Sequence, residues 1–228
     1  MDITLYYREK GNKEPFILLH GNGEDGSYFR NQIDYFSRQY RVIALDTRGH
    51  GRSPRGTQPF TIEQFSCDLN DFLTGLGISK AVILGFSDGA NIAMKFAMKY
   101  PDKVKALILN GGNLNPEGVK RTTQIPIEAG CKIAKWFASR SPGARKNAEM
   151  LGLMVYEPNI SPGELAKITA PALVICGTRD MIKESHTKEI ARNIPGARLS
   201  IIKGNHFIAQ KRSDEFNKEV ERFLSTIK

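Results

Sequence analysis

Short runs of branched apolar residues recur along this chain, and most are followed by a longer amphipathic pattern. The runs are Ile3–Arg8, Phe16–His20, Arg41–Asp46, Ala81–Phe86, Val104–Asn110, Ala172–Cys176 and Arg198–Lys203. Several are apolar almost throughout, as in Ala81-Val82-Ile83-Leu84. A strand wetted on one face alternates in polarity, whereas a strand covered on both faces does not, so these runs predict a parallel sheet between helices. The intervening patterns agree. Residues 62–76 place Ile62, Phe65, Leu69, Phe72, Leu73 and Leu76 on one stripe. Thr61 and Gln64 have the spacing of a capping box, and Phe60 and Phe65 that of a hydrophobic staple. A last helix starts near Asp214 and carries Phe216, Val220, Phe223, Leu224 and Ile227. Strand and helix in alternation give an α/β class with a mostly parallel sheet.

The 228 residues suffice for one domain with a modest insertion, and 40% hydrophobic with 25% charged content excludes disordered and fibrous classes. A formal charge of +9 raises nucleic acid, a membrane surface and an anionic substrate as partners. The basic residues are interrupted by acids, as in Lys211-Arg212-Ser213-Asp214-Glu215, which reads as a solvated surface and speaks against nucleic acid. No apolar stretch approaches the ~18 residues of a membrane helix. Met1-Asp2-Ile3-Thr4 does not read as a secretory signal. Cys67, Cys131 and Cys176 fit neither a disulfide framework nor a zinc spacing, so free thiols in a cytoplasmic protein are expected.

One stretch breaks the rhythm. After Asn110-Gly111-Gly112 no strand pattern returns until Ala172. The segment holds helical patterns over 127–139 and 144–156 and a shorter one over 163–168, punctuated by Pro116, Gly118, Pro126, Pro142, Gly143, Pro158 and Pro162. It reads as an insertion over one edge of the sheet.

The sharpest chemical signal is Gly85-Phe86-Ser87-Asp88-Gly89, which follows an apolar strand and opens a helical pattern over 91–100. A serine on such a turn is held in a strained conformation above the sheet, and flanking glycines let strand and helix approach. The helix N-terminus offers unpaired N–H groups to a developing anion. A serine hydroxyl needs a base. Of the four histidines, His206 in Gly204-Asn205-His206-Phe207 follows the last strand and falls at the same sheet edge. His186, among charged neighbours, reads as an exposed surface residue; His50 reads as part of a turn scaffold, and His20 as an organiser of its own loop. Asp180 follows the strand that starts at Ala172; alone it reads as a helix or turn cap, but with Ser87 and His206, each also at the end of a strand, it reads as the group that orients the base. His20-Gly21-Asn22-Gly23 follows another strand, so the Asn22 and Asp88 N–H groups are the expected oxyanion donors.

Together the H-G-N-G loop, D-T-R-G-H-G-R-S, G-F-S-D-G, G-T-R-D and G-N-H-F resemble the α/β-hydrolase superfamily in order and separation. The resemblance implies an α/β-hydrolase fold of about seven strands, lacking the family's first strand, with a core of residues 1–113 and 166–228 and a small helical cap over 114–165. It implies Ser87 as nucleophile, His206 as base and acid, Asp180 as orienter, and Asn22 with Asp88 as oxyanion donors. Esterase, lactonase, thioesterase and carbon–carbon bond hydrolase all fit, with a small-molecule acyl substrate, no cofactor and no metal; a homodimer stays open. Members with an aspartate nucleophile are disfavoured by Ser87. The resemblance leaves two other roles in view, a ligand-sensing receptor that keeps the triad and a cofactor-free haloperoxidase-like enzyme. Asp88 reads as a favourable charge at a helix N-terminus or as a substrate contact for an ammonium. Met150, Leu151, Leu153, Met154 and Trp136 either line an acyl pocket or simply pack.

Overall fold

The apolar runs become the centre of the molecule because each can be buried from both sides. The computed structural model describes residues 1–227. Its elements in chain order are β1 (Tyr7–Lys10), β2 (Glu14–Leu19), α1 (Arg30–Phe36), β3 (Tyr40–Leu45), α2 (Ile62–Gly75), β4 (Ala81–Phe86), α3 (Asp88–Lys99), β5 (Val104–Asn110), α4 (Arg121–Phe137), α5 (Pro142–Tyr156), β6 (Ala172–Arg179), α6 (Glu184–Asn193), β7 (Arg198–Asn205), α7 (Ile208–Lys211) and α8 (Ser213–Leu224). The seven strands form one sheet in the order β1-β3-β2-β4-β5-β6-β7. Among the described residues, β1–β3 is the one antiparallel pair of that sheet.

Alternate residues of each strand feed two cores. Ile17, Leu19, Ile43, Leu45, Ile83 and Leu107 pack with α2, α3 and α6, while Phe16, Leu18, Val42, Leu84 and Ile108 pack with α1 and α8. This explains runs without alternation: both faces are dry. The Phe60–Phe65 staple forms, with ring centroids 4.9 Å apart. The Thr61 side chain accepts from the Gln64 N–H, but Gln64 turns its own amide to Asp68 Oδ1, so the capping box is half made.

Several expected boundaries move. The first strand starts at Tyr7, because the Tyr6 N–H and carbonyl pair with Ser53 Oγ and the Asp46 N–H beyond the ladder. The last two strands run on through Gly177-Thr178-Arg179 and Gly204-Asn205, where Gly177 pairs with Ile202 and Arg179 with Asn205 across a register shift. The first inserted helix starts at Arg121 and carries Pro126 inside it. Pro126 gives no N–H to the Thr122 carbonyl, one bond lost from a helix whose first turn is closed by the Thr123 and Gln124 N–H groups on the Lys120 carbonyl. The short pattern over 163–168 is a 3₁₀ turn, Pro162–Lys167.

Helices α4 and α5 pack on each other as a hairpin. Its roots are stitched to the core: Lys120 N–H donates to the Met181 carbonyl and Lys183 N–H to the Gly118 carbonyl, both at 2.8 Å. Arg55 pairs with Glu149 at 2.7 Å, and Glu157 accepts the Ile62 N–H at 2.6 Å. Leu153 is buried in the core, whereas Trp136 on α4 is 74% exposed and packs neither in a pocket nor in a core. His186 is a correction to the exposed surface residue expected: it is buried, and its Nε2 accepts the Leu114 N–H at 2.8 Å. Its charged sequence neighbours face water while Thr187 and Ile190 carry the same helix face inward. No helix among the described residues is long and apolar enough to cross a membrane.

Candidate active site

Strand β4 runs directly into α3, and Ser87 is the turn between them. Its φ of 54° and ψ of −119° make it the one non-glycine residue with positive φ among the described residues. Such a conformation costs on the order of 1–3 kcal/mol and persists only where the surroundings enforce it. They do so here. The Ser87 N–H donates to the Asn110 carbonyl at 2.8 Å, and α3 hangs from the Ser87 carbonyl through the Ala90 and Asn91 N–H groups. The crossing is too close for side chains: a Cβ on Gly85 would run into the Gly89 carbonyl, and one on Gly89 into the Leu19 carbonyl.

The ends of β6 and β7 bring Asp180 and His206 to the same edge. His206 Nδ1 lies 2.6 Å from Asp180 Oδ1, which also accepts the Ile182 N–H at 2.9 Å. Both side chains are buried. A carboxylate only accepts, so Nδ1 carries a proton, and in the neutral ring Nε2 is then the acceptor. That Nε2 has no hydrogen-bond partner among the described residues. The imidazole leans on the ring of Phe86, the residue before Ser87, with centroids 4.8 Å apart. Gly111 makes room for it: a Cβ there would stand 2.7 Å from His206 Cε1. Lys120, at the root of the inserted hairpin, donates from Nζ to the Asp180 carbonyl at 2.6 Å.

The loop after β2 completes the edge. A Cβ on Gly21 would lie 3.1 Å from Ser87 Cβ, so this loop touches the serine. Thr47 N–H donates to His20 Nε2 at 3.0 Å, which leaves the proton on Nδ1, and Nδ1 donates to the Gly21 carbonyl at 2.7 Å. His20 is thus the loop organiser expected, and burial lowers its pKa, keeping the ring neutral. His50 is equally buried, bonded through Nδ1 to the Arg48 carbonyl, and burial takes its pKa down to about 4. The N–H groups of Asn22 and Asp88 have no acceptor among the described residues. The Asp88 carboxyl is buried, accepts from Asn22 Nδ2 at 2.9 Å and Asn91 Nδ2 at 3.3 Å, and faces no cation; burial raises its pKa.

Two contributors escaped the sequence reading. Glu24 is half-buried, accepts the Gly21 N–H at 3.2 Å, and is pushed up to about 7 by burial. Tyr28 stacks on Phe86 at 4.4 Å and extends the aromatic wall behind His206. The i to i+3 spacing of Gly21 and Glu24 was the available signal for the first. Nothing in the letters marked the second. No group of three His, Cys, Asp or Glu side chains suited to a metal ion occurs among the described residues.

A family model described as alpha/beta hydrolase fold matches residues 14–130. The chain belongs to the α/β-hydrolase family. Among its relatives in the family is a human protein named serine hydrolase BPHL, 27% identical, with 97% of this chain and 83% of that protein covered. A 2-hydroxy-6-oxononadienedioate/2-hydroxy-6-oxononatrienedioate hydrolase of Paraburkholderia phymatum is 30% identical, covering 94% of this chain and 76% of that one. The enol-lactonase structure from Burkholderia xenovorans LB400 superposes on this α/β-hydrolase with a TM-score of 0.82 and 26% identity, covering 98% of this chain and 97% of that one.

Proposed function

We propose that this protein is a serine hydrolase that cleaves carboxylic esters or related acyl bonds of small molecules. The observation that carries the reading is the strained Ser87 at the same sheet edge as an imidazole whose Nδ1 is held by Asp180, with the Asn22 and Asp88 N–H groups without acceptors among the described residues. Relatives named as a serine hydrolase, a dienedioate hydrolase and an enol-lactonase support it.

In this mechanism Ser87 Oγ attacks the substrate carbonyl carbon while His206 Nε2 takes its proton. Asp180 keeps the imidazolium oriented. The carbonyl π electrons move to oxygen, and the oxyanion accepts from the Asn22 and Asp88 N–H groups, each such donor being worth about 10² to 10³ in rate. The intermediate collapses, the C–O bond to the alcohol breaks, and His206 returns the proton to the leaving oxygen. Water, deprotonated by the same Nε2, attacks the acyl carbon; the bond from that carbon to Ser87 Oγ breaks, His206 returns the proton to Oγ, and the acid leaves. The residues over 114–165 act as a small cap on this site. The test is Ser87→Ala on a p-nitrophenyl ester: turnover falls by about 10³ or more. Retained turnover would remove the reading, and tight ligand binding without turnover by the wild-type protein would mark a sensor instead.

A second reading concerns the substrate. A buried carboxyl bonded only by amides lacks a cation, and a substrate ammonium would supply one to Asp88. An amino-acid ester is then hydrolysed with a higher kcat/KM than its N-acetylated form. Equal values for the two would rule the contact out.

A further inference from the structure

The two residues with acceptor-free N–H groups at the serine are also joined through their side chains. Asn22 Nδ2 gives one hydrogen to Asp88 Oδ2 at 2.9 Å and the other to the Met150 carbonyl of α5 at 2.7 Å. One carboxamide therefore binds the loop after β2, the first residue of α3 and the inserted hairpin. We propose that the Asn22 carboxamide is a positioning group that sets the separation of the two oxyanion donors and makes it depend on the seating of the α4–α5 hairpin. The inference rests on the serine-hydrolase reading.

Direction and distance have different sources in this loop. The Asn22 N–H shares a planar peptide with the Gly21 carbonyl, so fixing that carbonyl aims the N–H the opposite way. His20 Nδ1 fixes it at 2.7 Å, with the Glu24 N–H at 3.3 Å. Neither bond reaches α3. Asn22 is flanked by Gly21 and Gly23. Gly21 rests against Phe86 and Ser87, each 3.1 Å from where a Cβ on it would stand, but Gly23 has a φ of 73° and nothing within 4 Å of where a methyl group on it would stand, so beyond Gly21 no packing sets how far the loop stands from the helix. The Asn22–Asp88 bond does. At its far end the Asp88 carboxyl accepts from Asn91, whose amide pairs with Asn113 in both directions, at 3.0 Å and 2.9 Å. The anchor thus continues to the loop after β5, while the second Asn22 hydrogen is available to the hairpin only when α5 is in place.

Displacing a catalytic group by about 1 Å can cost roughly 10² in rate. Asn22→Ala keeps the backbone N–H and removes only the tie. On a neutral p-nitrophenyl ester its kcat falls by about 10- to 100-fold with KM changed by less than about threefold. Asp88→Ala behaves alike, and the double variant is no worse than the poorer single one, because both remove the same bond. Asp88→Asn, whose amide oxygen accepts the same hydrogen, keeps at least about tenfold more kcat than Asp88→Ala. Asn22→Asp, nearly isosteric but without the donors, loses at least as much kcat at pH 8 as Asn22→Ala. Hydrogen exchange of amides 142–156 accelerates in Asn22→Ala while β4 and β5 stay protected. Losses that multiply in the double variant, an unchanged kcat in both Asn22 variants, or unaltered exchange in 142–156 would each overturn the proposal. Ser87→Ala is assayed alongside: if it retains turnover the hydrolase reading fails, and if it is inactive while the cycle is additive only the tie fails.

Discussion

At Glu24 the surroundings of one carboxyl decide its charge. Burial raises its pKa from 4.5 to about 7, against the opposing bond from the Gly21 N–H. The folded state therefore prefers the protonated form. Its contribution to stability is full below the unfolded value of 4.5 and is lost as pH rises through about 7. Glu24→Gln keeps the acceptor and cannot ionise, so it melts above the wild-type protein at pH 8 and the margin shrinks toward pH 4.5. Calorimetry at the two pH values checks this, and an equal or lower Tm at pH 8 contradicts it. The spacing of Glu24 from Gly21 was legible in the sequence, but its burial was not, because burial is a property of the assembled loop. The H-G-N-G glycines were legible because they announce backbone geometry. His186 misled for the converse reason: Lys183 and Glu184 suggested water, while the inward face it shares with Thr187 and Ile190 was the better guide.

At the scale of elements, apolar runs predicted where strands sit better than where they stop. Ala81–Phe86 and Val104–Asn110 match to the residue because both ends of each run are apolar or buried. Strands β6 and β7 outrun their apolar segments because ladder bonds need only backbone. The start of α2 was readable from Thr61, whose Oγ1 accepts the Gln64 N–H at 3.1 Å. Thr61→Ala costs about 1 kcal/mol, the usual value of a lost N-cap. Gly89→Ala costs more, since its methyl meets the Leu19 carbonyl and forces α3 off β2, where overpacking costs about 1–3 kcal/mol or above. Urea denaturation of the two variants gives the comparison, and a Gly89→Ala variant no less stable than Thr61→Ala would contradict the close crossing.

Across the whole molecule, one ion cluster joins parts distant in sequence. Arg48 is fully buried; its guanidinium takes Asp68 through two bonds of 2.7 Å and Asp2 through bonds of 2.6 Å and 3.2 Å. It fastens the N-terminal segment and the loop after β3 to α2. Asp68→Ala leaves the buried cation short of its main partner and destabilises by about 3–5 kcal/mol, measured by denaturant titration. A loss below ~1 kcal/mol would show that Asp2 suffices. The α/β class and the chain order of Ser87, Asp180 and His206 were legible because each lies just beyond an apolar run. The Asn22–Asp88–Met150 junction was not, since it joins positions whose proximity only the completed fold creates. The same holds for Trp136, the single tryptophan of the chain, on the outward side of α4. Its indole is already hydrated in the native state, so intrinsic emission starts red-shifted and is blind to the sheet. Unfolding therefore moves that emission little, and circular dichroism, which reads the backbone of hairpin and sheet alike, is the probe that follows the melt of this protein.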